Sequence, residues 1–167
     1  MESDLQLIIV RGTPGAGKSS LGRRLKKRFP SGALIEIDNF RGMLNNVNWD
    51  DEQQHFIALE AAAASAIIFN RSGFEPVIVV DMFMPYKLKF FLEKVNVRNY
   101  KIISLLVNEN VLEKRLTERK EGFKDVAKGN SLNKMILEHS IENEIRIETS
   151  EIDKNAVLEI ALRKLNT

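Results

Sequence analysis

The sequence predicts an α/β fold, a parallel sheet covered by helices on both faces. Three observations carry that expectation. Five short apolar runs alternate with segments of helical periodicity, as parallel strands joined by helical crossovers require. A glycine-rich turn, Gly12 to Gly17, stands between the first run and the first helix. The composition, 44% hydrophobic and 29% charged over 167 residues, is that of one globular domain spanning residues 1–167, long enough to bury a core.

Leu5 to Val10 reads as a buried strand. The helix Lys18 to Phe29 follows, with Leu21, Leu25 and Phe29 four residues apart in one apolar stripe and Pro30 ending it. The basic run 23–28 interleaves with that stripe, so it reads as the solvated face of the helix rather than a nucleic-acid patch. Ala33 to Ile37 is the second strand. Asp50 to Arg71 is a long alanine-rich helix, with acids in its first turn and Gly73 just past its end. Within it, the alanine run 61–64 predicts a close packing face. Pro76 opens the third strand, Val77 to Val80, and Pro85 starts a helix reaching about Lys94, since proline suits a first helical turn. Tyr100 to Val107 is the fourth strand, and Asn108 to about Lys120 a helix. A polar stretch continues to about Asn130. Another helix, a fifth strand from Ile145 to Glu148 and a last helix from Lys154 to Leu165 complete the pattern. Right-handed crossovers bring the C-terminal ends of all strands to one edge, where ligands bind in such sheets.

Charge narrows the function classes. Against 23 Asp plus Glu stand 25 Lys plus Arg, a formal charge of +2, which makes no electrostatic case for a dedicated nucleic-acid binder. With no cysteine, disulfides, zinc-thiolate sites and a cysteine nucleophile are excluded. Glu2 and Asp4 precede a short apolar run, unlike the basic start of a signal peptide, and no run approaches the roughly 20 apolar residues of a membrane helix. The expectation is a soluble cytoplasmic protein with no membrane partner, as a monomer or homodimer.

The turn "RGTPGAGKSS" matches G-x-x-x-x-G-K-[ST] in the strand-to-helix setting that motif needs. Glycines let backbone amides close round phosphate oxygens, and the helix starting near Lys18 points its positive end at the same anion. Gly12, Thr13, Pro14, Gly15, Ala16, Gly17, Lys18, Ser19 and Ser20 are therefore candidate nucleotide-binding residues. Lys18 neutralises the β and γ phosphates, and the Ser19 hydroxyl is a candidate Mg²⁺ ligand.

A P-loop alone serves ATPases, GTPases, helicases and kinases, so the other strand ends must discriminate. "EIDNFRGML" puts Asp38 at the edge beside the phosphates and Arg41 one helical turn later. A carboxylate that accepts a proton and a cation that orients an acceptor suit transfer to a hydroxyl. The alternatives are that Asp38 caps a short helix, Asn39 to Leu44, or holds Mg²⁺ through water, and that Arg41 is a solvated surface residue. "VIVVDMFMP" puts Asp81 at the same edge, where an acid after β-branched residues helps to place Mg²⁺; a strand-capping role is the alternative. Met82 follows where hydrolytic motors commonly carry a second acid, which fits a transferase. Arg115 and Arg119, four apart on a predicted helix face, are candidates to neutralise transition-state charge, with a mobile basic lid at about 120–130 after them. Trp49 with Phe40 and Met43 forms a candidate acceptor wall. His55, and less so His139, could touch an acceptor.

Taken together and in order, "GTPGAGKSS", "IDNFR", "VIVVDMF" and "EKRLTER" resemble the P-loop kinase group, over nearly the whole chain and including the late strand "IRIETS". Within it, "DNFR" resembles the acid and arginine of polynucleotide kinases, and the layout resembles gluconate kinase and chloramphenicol phosphotransferase. The resemblance implies a P-loop NTPase three-layer α/β/α sandwich with a five-stranded sheet ordered 2-3-1-4-5. It further implies ATP with Mg²⁺, Lys18 and Ser19 on the phosphates, Asp38 as general base, and Arg115 and Arg119 over the nucleotide. The G-F-P-R segment of adenylate-type kinases and the acceptor glycines of shikimate kinases are absent, and Asp81-Met82-Phe83 stands where relatives often carry D-x-N. The expected acceptor is a small molecule or a nucleotide-type compound, with a nucleic-acid end less favoured. A hydrolytic or regulatory NTPase switch, or a non-catalytic nucleotide-binding module, stays open beside the kinase.

Overall fold

A computed structural model describes residues 6–166. Leu5, the first residue of the expected opening strand, lies outside them. Five strands, β1 (Leu7–Gly12), β2 (Ala33–Glu36), β3 (Val77–Val80), β4 (Tyr100–Leu106) and β5 (Ile145–Glu148), form one sheet in the order β2-β3-β1-β4-β5. Every pairing is parallel, with Val10 beside Val80 and Gly12 beside Leu105. This is the order the resemblance implies.

Side-chain alternation divides the apolar residues of the central strand between two cores. Leu7 and Ile9 join the one built with α3 (Glu52–Arg71) and α4 (Pro85–Val95). Ile8 and Val10 join the one built with α1 (Lys18–Arg28), α5 (Glu109–Thr117) and α7 (Lys154–Leu165). Helices on both faces explain why all residues of β1 and β3 are buried and apolar runs replace alternating ones. Ala62 and Ala66 are fully buried and Ala63 nearly so, but Ala64 is exposed, so only part of the alanine run makes the packing face.

Local chemistry sets the element ends. The Asp51 carboxylate accepts from the amides of Gln53 and Gln54 and starts α3, so Asp50 falls just outside the helix expected to include it. Asn108 and Asp153 do the same for α5 and α7.

Three expectations change. The second strand stops at Glu36 and the chain turns directly into α2 (Ile37–Arg41), so Asp38 lies inside a short helix and caps nothing. The helix expected to reach Lys120 ends at Thr117, with the Glu118 amide on the Lys114 carbonyl; Arg119 therefore leaves the helix face it was expected to share with Arg115. The polar stretch expected to run to Asn130 is helical from Val126, because Asp125 caps α6 (Val126–Glu138) through the Lys128 amide. Gly129 lets α6 approach α5 closely: a Cβ there would stand 2.4 Å from Leu116 Cδ1. Only the segment from Glu118 to Asp125 remains loop.

Candidate active site

At the C-terminal edge of the sheet lies a cleft of about 1320 Å³. Its floor is the turn between β1 and α1. Gly17, the residue before α1, has φ 101° and no side chain that caps the helix, so the first-turn amides are left for a ligand. A side chain at that φ would be strained, which is why glycine stands there. Pro14 through Ser20 line the cleft. Gly12 and Thr13 instead lie buried beneath the loop, and the Thr13 hydroxyl reaches the Gly129 carbonyl of α6. Lys18 spans the loop, its ammonium donating to the Thr13 carbonyl at 3.0 Å. Burial lowers the affinity of Lys18 for its proton, while the charges of Asp81 and Asp38 work against that.

Asp38 and Asp81 face the same cleft in opposite states. Asp81, at the end of β3, is buried, and its Oδ2 lies 2.8 Å from His55 Nε2. Burial alone would raise its carboxyl; the His55 contact, the Met82 amide and Lys18 outweigh it and hold the group below the usual carboxylate range. Lys87 Nζ lies 3.0 Å from His55 Nδ1, and an ammonium has only protons to give. His55 Nδ1 therefore accepts, and Nε2 carries the proton donated to Asp81. Asp38 has no side-chain hydrogen bond or ion pair among the described residues. Although much of its surface meets solvent, enclosure by the cleft raises its carboxyl above the ordinary value and the charge of Asp81 adds to this, against Lys18 and Arg41.

The arginines reach the cleft by different routes. Arg115 donates to Thr149 at both its hydroxyl (3.0 Å) and its carbonyl (2.6 Å), tying α5 to the end of β5. Arg119, exposed in the loop, donates to the Phe123 carbonyl at 3.3 Å. Arg41 is not a solvated surface residue: it is 5% exposed, with its guanidinium carbon 4.8 Å from the centre of the Trp49 ring. Of the aromatic wall, Trp49 alone faces the cleft. Phe40 packs against the core of α3 and α4, and Met43 is 74% exposed outside the cleft lining. His139 also lies away from it, where its carbonyl accepts from Arg11.

The His55–Asp81 contact and its Lys87 support had no sequence signal: 26 residues separate the first pair, and only the packing of the first turn of α3 over the end of β3 joins them. Arg11 is a second case. Wholly buried in β1, it pairs with Glu144 at 2.9 Å, and Ser104 also bonds that carboxylate.

The donor set suits magnesium. Ser19 and Asp81 offer a hydroxyl and a carboxylate on one cleft, the hard oxygen donors that ion takes. Among the described residues no group of three or more His, Cys, Asp or Glu encloses a metal, so water and phosphate oxygens would complete the shell. No helix among those residues is long and apolar enough to cross a membrane.

A family model described as AAA domain matches residues 8–136. No curated protein matches the chain. Among solved structures, a sugar kinase from Janibacter sp. HTCC2649 is similar with a TM-score of 0.73 and 15% identity, over 97% of this chain and 95% of that one. A gluconokinase from Sinorhizobium meliloti 1021 is similar with a TM-score of 0.69 and 19% identity, over 96% and 91%. The APS kinase of Mycobacterium tuberculosis, solved with AMPPNP and APS, has a TM-score of 0.67 and 14% identity, over 98% of each chain. At such identities the likeness establishes the fold, the α/β P-loop fold that these small kinases share.

Proposed function

The chain belongs to the AAA domain family, and on that premise we propose that it is an ATP-dependent phosphotransferase, moving the γ-phosphate of ATP to a hydroxyl of a small-molecule or nucleotide-type acceptor. The observation that carries this reading is Asp38: a carboxylate with no hydrogen-bond or ion-pair partner among the described residues, raised above its ordinary value, on the cleft that the P-loop and Lys18 line.

In this reading the acceptor lies between α2 and the start of α3. Asp38 takes the hydroxyl proton as the acceptor oxygen bonds to the γ-phosphorus; the bond to the β–γ bridging oxygen breaks, and ADP leaves with its electron pair. Arg41 orients the acceptor. Lys18 and the free amides at the start of α1 receive the charge that moves onto the phosphate oxygens, and Arg115 and Arg119 flank the nucleotide side. Bound Mg²⁺ would supply charge neutralisation across the β and γ phosphates, with Ser19 and Asp81 holding it. The Asp81 carboxylate is kept ionised and aimed by His55. We assign the lid role to the loop from Glu118 to Asp125, which covers the reacting groups and excludes water. The residue after Asp81 is Met82, so no adjacent acid stands ready to activate water.

Incubation with γ-labelled ATP and a panel of nucleosides, oligonucleotides, sugars and aminoglycosides tests the proposal. Transfer of label to a hydroxyl compound, abolished by Lys18→Ala, is expected. Steady ATP hydrolysis with no label on any acceptor would refute it in favour of a hydrolytic switch.

A further inference from the structure

Four side chains stand in series between two helix starts and the end of β3. Glu52 and His55 lie in the first turn of α3, and Lys87 lies in the first turn of α4. Lys87 Nζ is 3.6 Å from a Glu52 oxygen and 3.0 Å from His55 Nδ1, and His55 Nε2 is 2.8 Å from Asp81 Oδ2. The side chains of Asp81, His55 and Lys87 are 6%, 9% and 13% exposed, so water offers few substitute partners.

The direction of each bond in the series follows from its charged end. An ammonium only donates, which keeps His55 Nδ1 an acceptor and Nε2 a donor to Asp81. Glu52 in turn holds the ammonium in place. The imidazole thereby restrains the rotation of the Asp81 carboxylate and engages one of its two oxygens, as outer partners do for metal-ligating groups.

The restraint bears on which cation the site accepts. Mg²⁺ takes six oxygens at about 2.0–2.1 Å in strict octahedral geometry, whereas Ca²⁺ takes six to eight at about 2.3–2.6 Å and accepts both oxygens of one carboxylate. Turning Asp81 so that both its oxygens meet one ion would break the 2.8 Å bond and leave a buried imidazole N–H unpaired. Oδ1 is then the oxygen left for a cation shared with Ser19 and the phosphates of a bound nucleotide.

We infer that His55 and Lys87 are positioning residues that confine Asp81 to ligation through one oxygen, so that the nucleotide site selects Mg²⁺ and turns away the larger Ca²⁺. This rests on the phosphotransferase reading only for the presence of a cation beside the nucleotide.

Calorimetry of AMPPNP binding in saturating Mg²⁺, in saturating Ca²⁺ and in a chelator tests the inference without any turnover. Wild-type protein is expected to bind the analogue about tenfold or more tightly with Mg²⁺ than with Ca²⁺. His55→Ala frees Oδ2 and should lose most of that preference, chiefly through tighter binding with Ca²⁺, while affinity in the chelator stays unchanged. His55→Gln returns an N–H donor to Asp81 and should restore part of the preference. Should His55→Ala fail to fold, Lys87→Met leaves the imidazole in place and releases its tautomer, and the preference is expected to weaken there too. Equal binding with the two ions by the wild-type protein overturns the inference. So does a preference that survives in every variant that folds, even where urea unfolding shows a loss of stability, since His55 and Lys87 would then be structural alone. Labelled-phosphate transfer separates the inference from its premise. Transfer supported equally by Mg²⁺ and Ca²⁺ sinks the cation selection and leaves the phosphotransferase. A preference that depends on His55, in a protein that labels no acceptor, supports the selection and removes the phosphotransferase.

Discussion

Replacing Asp38 by asparagine keeps the size of the side chain and removes its ability to take a proton. The structure predicts a selective loss. Among the described residues the Asp38 side chain makes no hydrogen bond, ion pair or helix cap, so its replacement forfeits none. Its carboxyl is raised in the folded protein by enclosure and by Asp81, which means the folded state binds its proton more tightly than the unfolded chain. Ionising it therefore lowers stability as pH rises from the unfolded value through the raised one, and Asp38→Asn should leave the midpoint of thermal unfolding at neutral pH unchanged or slightly higher. General-base catalysis contributes about 100- to 10,000-fold, so turnover should fall by about that factor, equivalent to about 3–5 kcal/mol in the barrier. Nucleotide affinity, held by the P-loop, should change little. The wild-type rate should also decline as pH falls toward the ordinary carboxylate value of about 3.9, starting above it, because protonated Asp38 cannot act as a base; the variant's residual rate should lack that limb. Initial rates of labelled-phosphate transfer across pH, with nucleotide binding by calorimetry, measure all of this. Near-normal turnover in Asp38→Asn would refute the assignment, and so would an acid limb that persists.

Glu144→Ala strands the buried Arg11 guanidinium and should cost about 3–5 kcal/mol in urea unfolding; a loss below about 1 kcal/mol would mean that water already reaches that pair. Gly129→Ala forces a methyl group against Leu116 between α5 and α6, with an expected loss of about 1–3 kcal/mol, read from the thermal midpoint. Hydrogen exchange from Glu118 to Asp125 should slow on binding an ATP analogue, while α6 beyond Val126 is protected with or without it. Unchanged exchange in the loop would remove the lid.

The P-loop was legible because its chemistry is local. Glycines, a lysine and a hydroxyl at fixed spacing between a strand and a helix build a phosphate cradle from consecutive residues, and strand and helix periodicities are equally local. Element ends were less legible, since caps decide them: Asp51 rather than Asp50 starts α3, and Asp125 starts α6 inside a stretch that composition reads as loop. The strand edge drew Asp38, Asp81 and Arg115 into one place on topology alone, because parallel strands with right-handed crossovers end on the same side.

What sequence spacing could not reach were the partners of those residues. The burial of Arg41 under the 48–49 loop and the Trp49 ring leaves no mark in the spacing, and His55 has no visible tie to Asp81 until α3 lies across the end of β3. Charge and burial belong to neighbours brought in from elsewhere in the chain. The chain by itself determined that a glycine-rich turn of phosphate-cradle type is built and at which edge of the sheet it stands. Tertiary packing decided which carboxylate is left without a hydrogen bond among the described residues, which is held ionised, and which guanidinium is buried against a tryptophan ring.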